Sequence, residues 1–268
     1  MGDSWTVALV GHGSSPLIIH VPHSATWIPD TERSDLQLDD GELAEELAKM
    51  TDWFTDRMAF DALARADVAA AVFVNRASRL LIDPERFLGE DELMLSVGMG
   101  PVYRTASNRG VLRLPDPIRD DLLIDQYFLP YAAAFTDLVD QTLADHRRAD
   151  IIDLHSFPSS PLPYELHPNA ARPGICIGTD PFHTPPELEF AALEVFTSDA
   201  WDVGINSPFA GTYVPLAHYA RTASVRSVMV EVRRDLYQLE PGGPVHSGYD
   251  LVVDHLAGLI RRLSQLVT

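Results

Sequence analysis

Nothing in this chain narrows the choice of fold more than the run Ala149-Asp150-Ile151-Ile152-Asp153-Leu154-His155-Ser156. A short, nearly continuous apolar run fits a strand buried on both faces, as in a parallel sheet covered by helices. Open α/β sheets hold their ligands just beyond the carboxyl ends of such strands. His155 falls at that edge, and the loop after it, Phe157-Pro158-Ser159-Ser160-Pro161-Leu162-Pro163, carries three prolines in seven residues. Pro16-Leu17-Ile18-Ile19-His20-Val21-Pro22-His23-Ser24 has the same form earlier in the chain, strand and then His-Ser. Two strands that each deliver His-Ser at their exit predict two ligands meeting over one sheet edge.

The remaining pattern alternates strands and helices. Leu17 to Val21, Val68 to Val74, the short run Leu80-Leu81-Ile82, Gly174 to Gly178 and Val225 to Val232 read as strands. Leu43, Leu47, Met50 and Phe54 form a helical stripe, with Asp52 off it, facing either solvent or a site. A helix from about Ile118 continues through Tyr131, Phe135, Leu138 and Thr142, with Pro130 expected to break or kink it. Pro186 opens a helix to about Ser198, and Tyr249 to Leu266 closes the chain as an amphipathic helix. Residues 84–116 read as an irregular excursion, the kind of long loop that is functional or mobile, and residues 1–15, polar and Gly-rich with His12 between glycines, as a flexible start. The alternation predicts a mostly parallel sheet covered on both faces. With 268 residues, and neither an internal repeat nor a linker, one domain over 1–268 is expected.

The formal net charge of −19 argues against nucleic-acid and anionic membrane partners, because no basic cluster could neutralise phosphates. A local arginine pair can still bind an anionic small molecule. Lys49 is the single lysine, so positive charge is almost entirely arginine. The one cysteine, Cys176, lies in an apolar run and excludes a disulfide framework or a Cys-based metal site. No signal peptide or membrane-length run is evident, which makes the cytoplasm the expected location.

His23, Asp52 and His155 are candidate metal ligands, since two imidazoles and a carboxylate with an open position suit catalytic zinc. Each also has an ordinary reading: a histidine of the core, or an acid on a solvated helix face. Glu231, between Val230 and Val232, is costly to bury unpaired. It is either an ion-pair partner of Arg233 or Arg234, or a general base of raised pKa. Arg79 and Arg86 either bracket an anionic substrate or form surface salt bridges. No Gly-x-Ser-x-Gly elbow and no P-loop occur.

Taken in order, Val21-Pro22-His23-Ser24, Thr51-Asp52-Trp53, Ser78-Arg79 through Asp83-Pro84-Glu85-Arg86, Tyr127 with Pro130-Tyr131, Asp153-Leu154-His155-Ser156, Gly178-Thr179, Gly211-Thr212-Tyr213 and Val230-Glu231-Val232 resemble the N-formylglutamate amidohydrolase family. That family sits among proteins of zinc carboxypeptidase-like and aspartoacylase-like architecture. The resemblance implies a three-layer α/β/α sandwich with a mixed, mostly parallel sheet. It also implies one zinc ion per chain on His23, Asp52 and His155, Glu231 as the base that activates water, and Arg79 at the oxyanion. Arg86 would bind the substrate carboxylate, with Ser156, Tyr213 and His218 near the substrate. The implied reaction is hydrolysis of a small N-acyl amino acid, with the oligomeric state left open. Two departures stand out. The family's Asp-Leu-Asn-Arg reads Asp83-Pro84-Glu85-Arg86, and the arginine often found after the His-Ser motif is replaced within Phe157-Pro158-Ser159-Ser160. Both remove positive character from the pocket. A hydrolase of a neutral or cationic amide, or a non-catalytic small-molecule binding protein, are the alternatives.

Overall fold

Four strands that run the same way form the centre of the sheet in the computed structural model, which describes residues 7–10, 15–197 and 201–266. In chain order the elements are β1 (Val7–Val10), β2 (Leu17–Val21), α1 (Asp30–Arg33), α2 (Asp40–Met50), α3 (Thr55–Ala66) and β3 (Ala71–Asn75). Then come α4 (Pro117–Leu123), α5 (Leu129–His146), β4 (Ala149–Phe157), β5 (Ile175–Gly178), α6 (Pro186–Phe196), β6 (Val203–Ile205), β7 (Val225–Arg233) and α7 (Gly248–Ser264). Among the described residues the sheet has seven strands in the order β1-β3-β2-β4-β7-β5-β6. β3, β2, β4 and β7 are mutually parallel, whereas β1 is antiparallel to β3, and the parallel pair β5 and β6 joins β7 antiparallel.

The pleat sends alternate side chains of these strands to opposite faces. Leu17, Ile19, Val21, Ile152, Leu154, Val228, Val230 and Val232 form one buried face, covered by α3, α6 and α7. Ile18, Ala71, Phe73, Ala149, Ile151 and Val225 form the other, covered by Tyr131, Phe135, Leu138 and Val139 of α5. This is a three-layer α/β/α sandwich. Burying each Leu, Ile, Val or Phe among them contributes about 1.5–3 kcal/mol. The second face is apolar only near the amino ends of its strands. Toward the carboxyl ends it carries His20, Asp153, His155 and Glu231, paired in register as His20 with Asp153 and His155 with Glu231.

Four local expectations are corrected. The Leu43–Phe54 stripe is not one helix: α2 ends at Met50, Thr51 is extended (φ −78°, ψ 136°) and Phe54 is left-handed (φ 67°) ahead of α3. Asp52 therefore sits in a tight connection rather than on a helix. Leu80, Leu81 and Ile82 are fully buried but form no strand, because their burial comes from loop packing. The break or kink expected at Pro130 takes the form of a local widening rather than an end to the helical run, and Pro130 falls in the first turn of α5. The turn Ile124–Phe128 widens to π geometry immediately before it, which accommodates a residue with no N–H to donate. Val7–Val10 add an edge strand where a flexible start was expected, and His12 and Ser198 lie outside the described residues. Gly178 permits a crossing: a Cβ there would collide with the carbonyl oxygen of Gly211, so only glycine lets the Gly211–Tyr213 segment pass over β5 toward the sheet edge.

Candidate functional site

β2 and β4 end side by side, and each delivers a histidine to the same edge. His23 follows β2 through Pro22, and the backbone N–H of Asp52 donates to the carbonyl of His23 (3.0 Å). The broken helix between α2 and α3 thus ties Asp52 to the β2 exit. One ligating atom each from His23, Asp52 and His155 falls within 4.8 Å of the others, and all three residues are buried. His155 Nδ1 lies 3.2 Å from Asp52 Oδ2, and His23 Nδ1 lies 3.8 Å from the same oxygen. His23 Nδ1 is buried without a hydrogen-bond partner, an orphan that a cation would satisfy.

Each of the three is held from behind. His23 Nε2 pairs with Asp83 Oδ1 (2.9 Å) and His155 Nε2 with Asp153 Oδ1 (3.1 Å), the carboxylate–histidine arrangement that orients metal ligands. Arg234 Nη2 donates to Asp52 Oδ1 (2.9 Å), leaving Oδ2 to face the histidines. Asp153 also accepts from His20 Nδ1 (2.9 Å) and from the backbone N–H of Tyr213 (2.8 Å). His20 is clamped in turn, between the rings of Phe135 (4.5 Å) and Tyr213 (4.9 Å) and against the Tyr131 hydroxyl.

The electrostatics follow from this packing. Burial works against the charge of Asp52, Asp83 and Asp153. Histidine and guanidinium partners nevertheless hold all three carboxyls below the ordinary range: His155, His23 and Arg234 for Asp52, Arg86, His23 and Arg79 for Asp83, and His155 and His20 for Asp153. Burial likewise opposes a proton on His155, but Glu85, Asp153 and Asp52 raise its pKa well above the usual imidazole value. Glu231 behaves oppositely. Burial dominates and pushes it up to about 7, with His155 pulling down and Asp52 pushing up. Neither expected ion-pair partner reaches it. Arg233 pairs with Asp235 (2.8 Å), Arg234 is engaged by Asp52 and Ser156, and Glu231 Oε2 is buried without a hydrogen-bond partner.

A cavity of about 590 Å³ opens over this edge, and His23, Asp52, His155, Glu231, Arg79, Arg86, Ser156 and Tyr213 all line it. Arg79 is tethered by Asp83 Oδ2 (2.9 Å) and the Tyr103 hydroxyl (3.1 Å). Arg86 Nη2 stands 3.4 Å from Asp83 Oδ2, and its Nε has no hydrogen-bond partner. Ser156 serves its neighbours: its N–H donates to Asp52 Oδ2 (3.3 Å) and its Oγ accepts from Arg234 Nε (3.2 Å). His218 is not brought to the cavity. The turn begun at Pro215 carries its ring away to Asp140 (2.9 Å) and Thr222 (3.1 Å). Sequence reasoning passed over His20, and did not assign Asp83, Asp153 and Arg234 to the support of the ligands. The parity of His20 within β2 was the available signal, but its use requires knowing that β2 pairs with β4.

The N-formylglutamate amidohydrolase family model matches residues 15–238. The crystal structure of N-formylglutamate amidohydrolase from Ralstonia eutropha JMP134 superposes with a TM-score of 0.79 at 22% identity, covering 98% of both chains. That of gene product Atu2144 from Agrobacterium tumefaciens superposes with a TM-score of 0.70 at 18% identity, covering 97% of this chain and 93% of the other. At such identities the superpositions speak for the fold. A comparison with curated proteins finds no match.

Proposed function

The chain belongs to the N-formylglutamate amidohydrolase family, hydrolases of amide bonds, and from that premise we propose that it cleaves the amide of a small N-acyl amino acid, the class that includes N-formylglutamate, and that His23, Asp52 and His155 hold one zinc ion per chain. The observation that carries this reading is the pairing of two orphans in one cavity: the unpartnered His23 Nδ1 among three converging donors, and the unpartnered Oε2 of Glu231 on the adjacent strand. Two imidazoles and one carboxylate make a donor set suited to zinc. Bound in an open three-ligand site, zinc supplies Lewis-acid polarisation of a carbonyl and acidifies water.

The chain's own groups perform the rest. Glu231 takes the proton of the attacking water on its free oxygen and passes it to the departing nitrogen, a role that a buried carboxyl with a pKa near neutrality suits. Arg79, fixed by Asp83 and Tyr103, offers its guanidinium to the oxyanion. Arg86, with an unused donor, takes the substrate carboxylate. Tyr213 forms a wall, and Ser156 orients Asp52 and Arg234. A reaction on free amino-acid derivatives suits a cytoplasmic enzyme with neither nucleic acid nor membrane as partner. Among the described residues no helix is long and apolar enough to cross a membrane. The test is Glu231→Gln, which should keep its zinc yet lose on the order of 10²–10⁴-fold in turnover of an N-formyl amino acid. Undiminished turnover would remove Glu231 from the reaction.

A further inference from the structure

Glu85 stands behind the candidate ligands rather than beside Arg86. Its Oε2 is 3.5 Å from His23 Nε2, and its Oε1 is 3.4 Å from His155 Nε2 and 3.7 Å from His20 Nδ1. The side chain is only 10% exposed, and Oε1 has no hydrogen-bond partner. It therefore adds a carboxylate to a site already rich in them. Asp52, Asp83, Glu85, Asp153 and Glu231 surround the edge, against the guanidiniums of Arg79, Arg86 and Arg234. These carboxylates outnumber the guanidiniums, and Glu85 adds one more to that surplus. Farther along the wall stand Asp91, Glu92, Glu165, which Arg172 pairs at 2.6 Å, and Asp180, with Lys49 the one lysine of the lining.

Of the three guanidiniums, Arg234 is committed to protein acceptors, Arg79 is tethered by Asp83 and Tyr103 with its remaining nitrogen 3.9 Å from Asp52, and Arg86 keeps a buried Nε without a partner. With Arg79 assigned to the oxyanion, Arg86 is left to take one substrate carboxylate. Part of the wall is apolar: Phe157 and Phe209 meet edge to face at 5.6 Å, joined by Met50 and Leu162. A volume of about 590 Å³ lies in the range that accepts ligands much larger than a formyl amino acid with a short side chain.

We propose that Glu85 determines specificity by adding to the cavity wall a carboxylate that repels a second substrate carboxylate. The preferred substrate is then an N-acyl α-amino acid with a single carboxylate and an uncharged side chain, rather than a dicarboxylate. The inference takes the reaction from the amidohydrolase reading above and the selectivity from Glu85.

N-Formylglutamate and N-formylglutamine differ by one charge at nearly constant shape, so they isolate this effect. Their dissociation constants are measured by calorimetry on zinc-loaded Glu231→Gln protein, and their kcat/KM values on zinc-loaded wild type. N-Formylglutamine should be favoured by on the order of tenfold in both, as expected for a like-charge penalty at a desolvated site. Glu85→Gln, checked for cooperative unfolding and retained zinc, should erase most of that preference. A wild-type preference for N-formylglutamate overturns the proposal, as does a ratio unchanged in Glu85→Gln or failure of both amides to bind. Binding of both with turnover of neither contradicts the hydrolase reading instead, and the ratio of dissociation constants still decides the role of Glu85.

Discussion

The two faces of the same central strands have opposite characters. Under α3, α6 and α7 the face is apolar from end to end, with Leu17, Ile19, Val21, Ile152, Leu154, Val228 and Val230 at most 1% exposed. Under α5 the face begins the same way but ends in His20, Asp153, His155 and Glu231. One strand thus anchors the fold with its even positions and presents chemistry with its odd ones. Cores of the first kind gain from burial area and tight packing. Buried polar ends of the second kind are tolerable only where each group finds a partner, and each unpaired atom there invites explanation. His23 Nδ1 and Glu231 Oε2 are the unpaired atoms here that the proposed reaction would use.

Substitutions on the two faces should separate stability from metal binding. Leu154→Ala, on the apolar face, should cost about 2–5 kcal/mol of unfolding free energy while leaving zinc affinity unchanged, as read by denaturant unfolding and chelator competition. Loss of zinc affinity in that variant would mean that the faces are not independent. Stripping the metal with a chelator should lower the unfolding free energy by about 3–4 kcal/mol when free zinc had stood at a hundred to a thousand times Kd, and the melting temperature should recover on re-addition. Asp153→Asn, one position before Leu154 but on the other face, should weaken zinc binding by about 10–100-fold through a less firmly oriented His155. An affinity equal to wild type would reduce Asp153 to a structural acceptor for His20 and the Tyr213 backbone.

The apolar face was legible in the sequence because burial on both sides of a strand leaves a continuous run, and the exits of β2 and β4 were legible because each run stops at a His-Ser pair. Asp52 was harder. The apolar spacing of Leu43, Leu47, Met50 and Phe54 continues a helix through it, whereas the backbone turns at Thr51 and again at Phe54, and spacing carries no sign of those dihedrals. Leu80-Leu81-Ile82 is a parallel case, since an apolar triplet suits a buried loop as well as a strand. The groups that orient the ligands were beyond a linear reading. Asp83 lies 60 residues from His23, and Arg234 lies 182 from Asp52, so only the folded register brings them together. His218 was drawn toward the site by its nearness in sequence to Tyr213, a nearness that the turn at Pro215 undoes.

The central claim is that the polar ends of β2 and β4, with Asp52 between them, hold a metal ion. Elemental analysis of untagged protein purified without added metal tests it most directly. The account predicts close to one zinc per chain, lost in both His23→Ala and His155→Ala. No bound metal, and none taken up on titration, would contradict it and leave the cluster a buried ion-pair network.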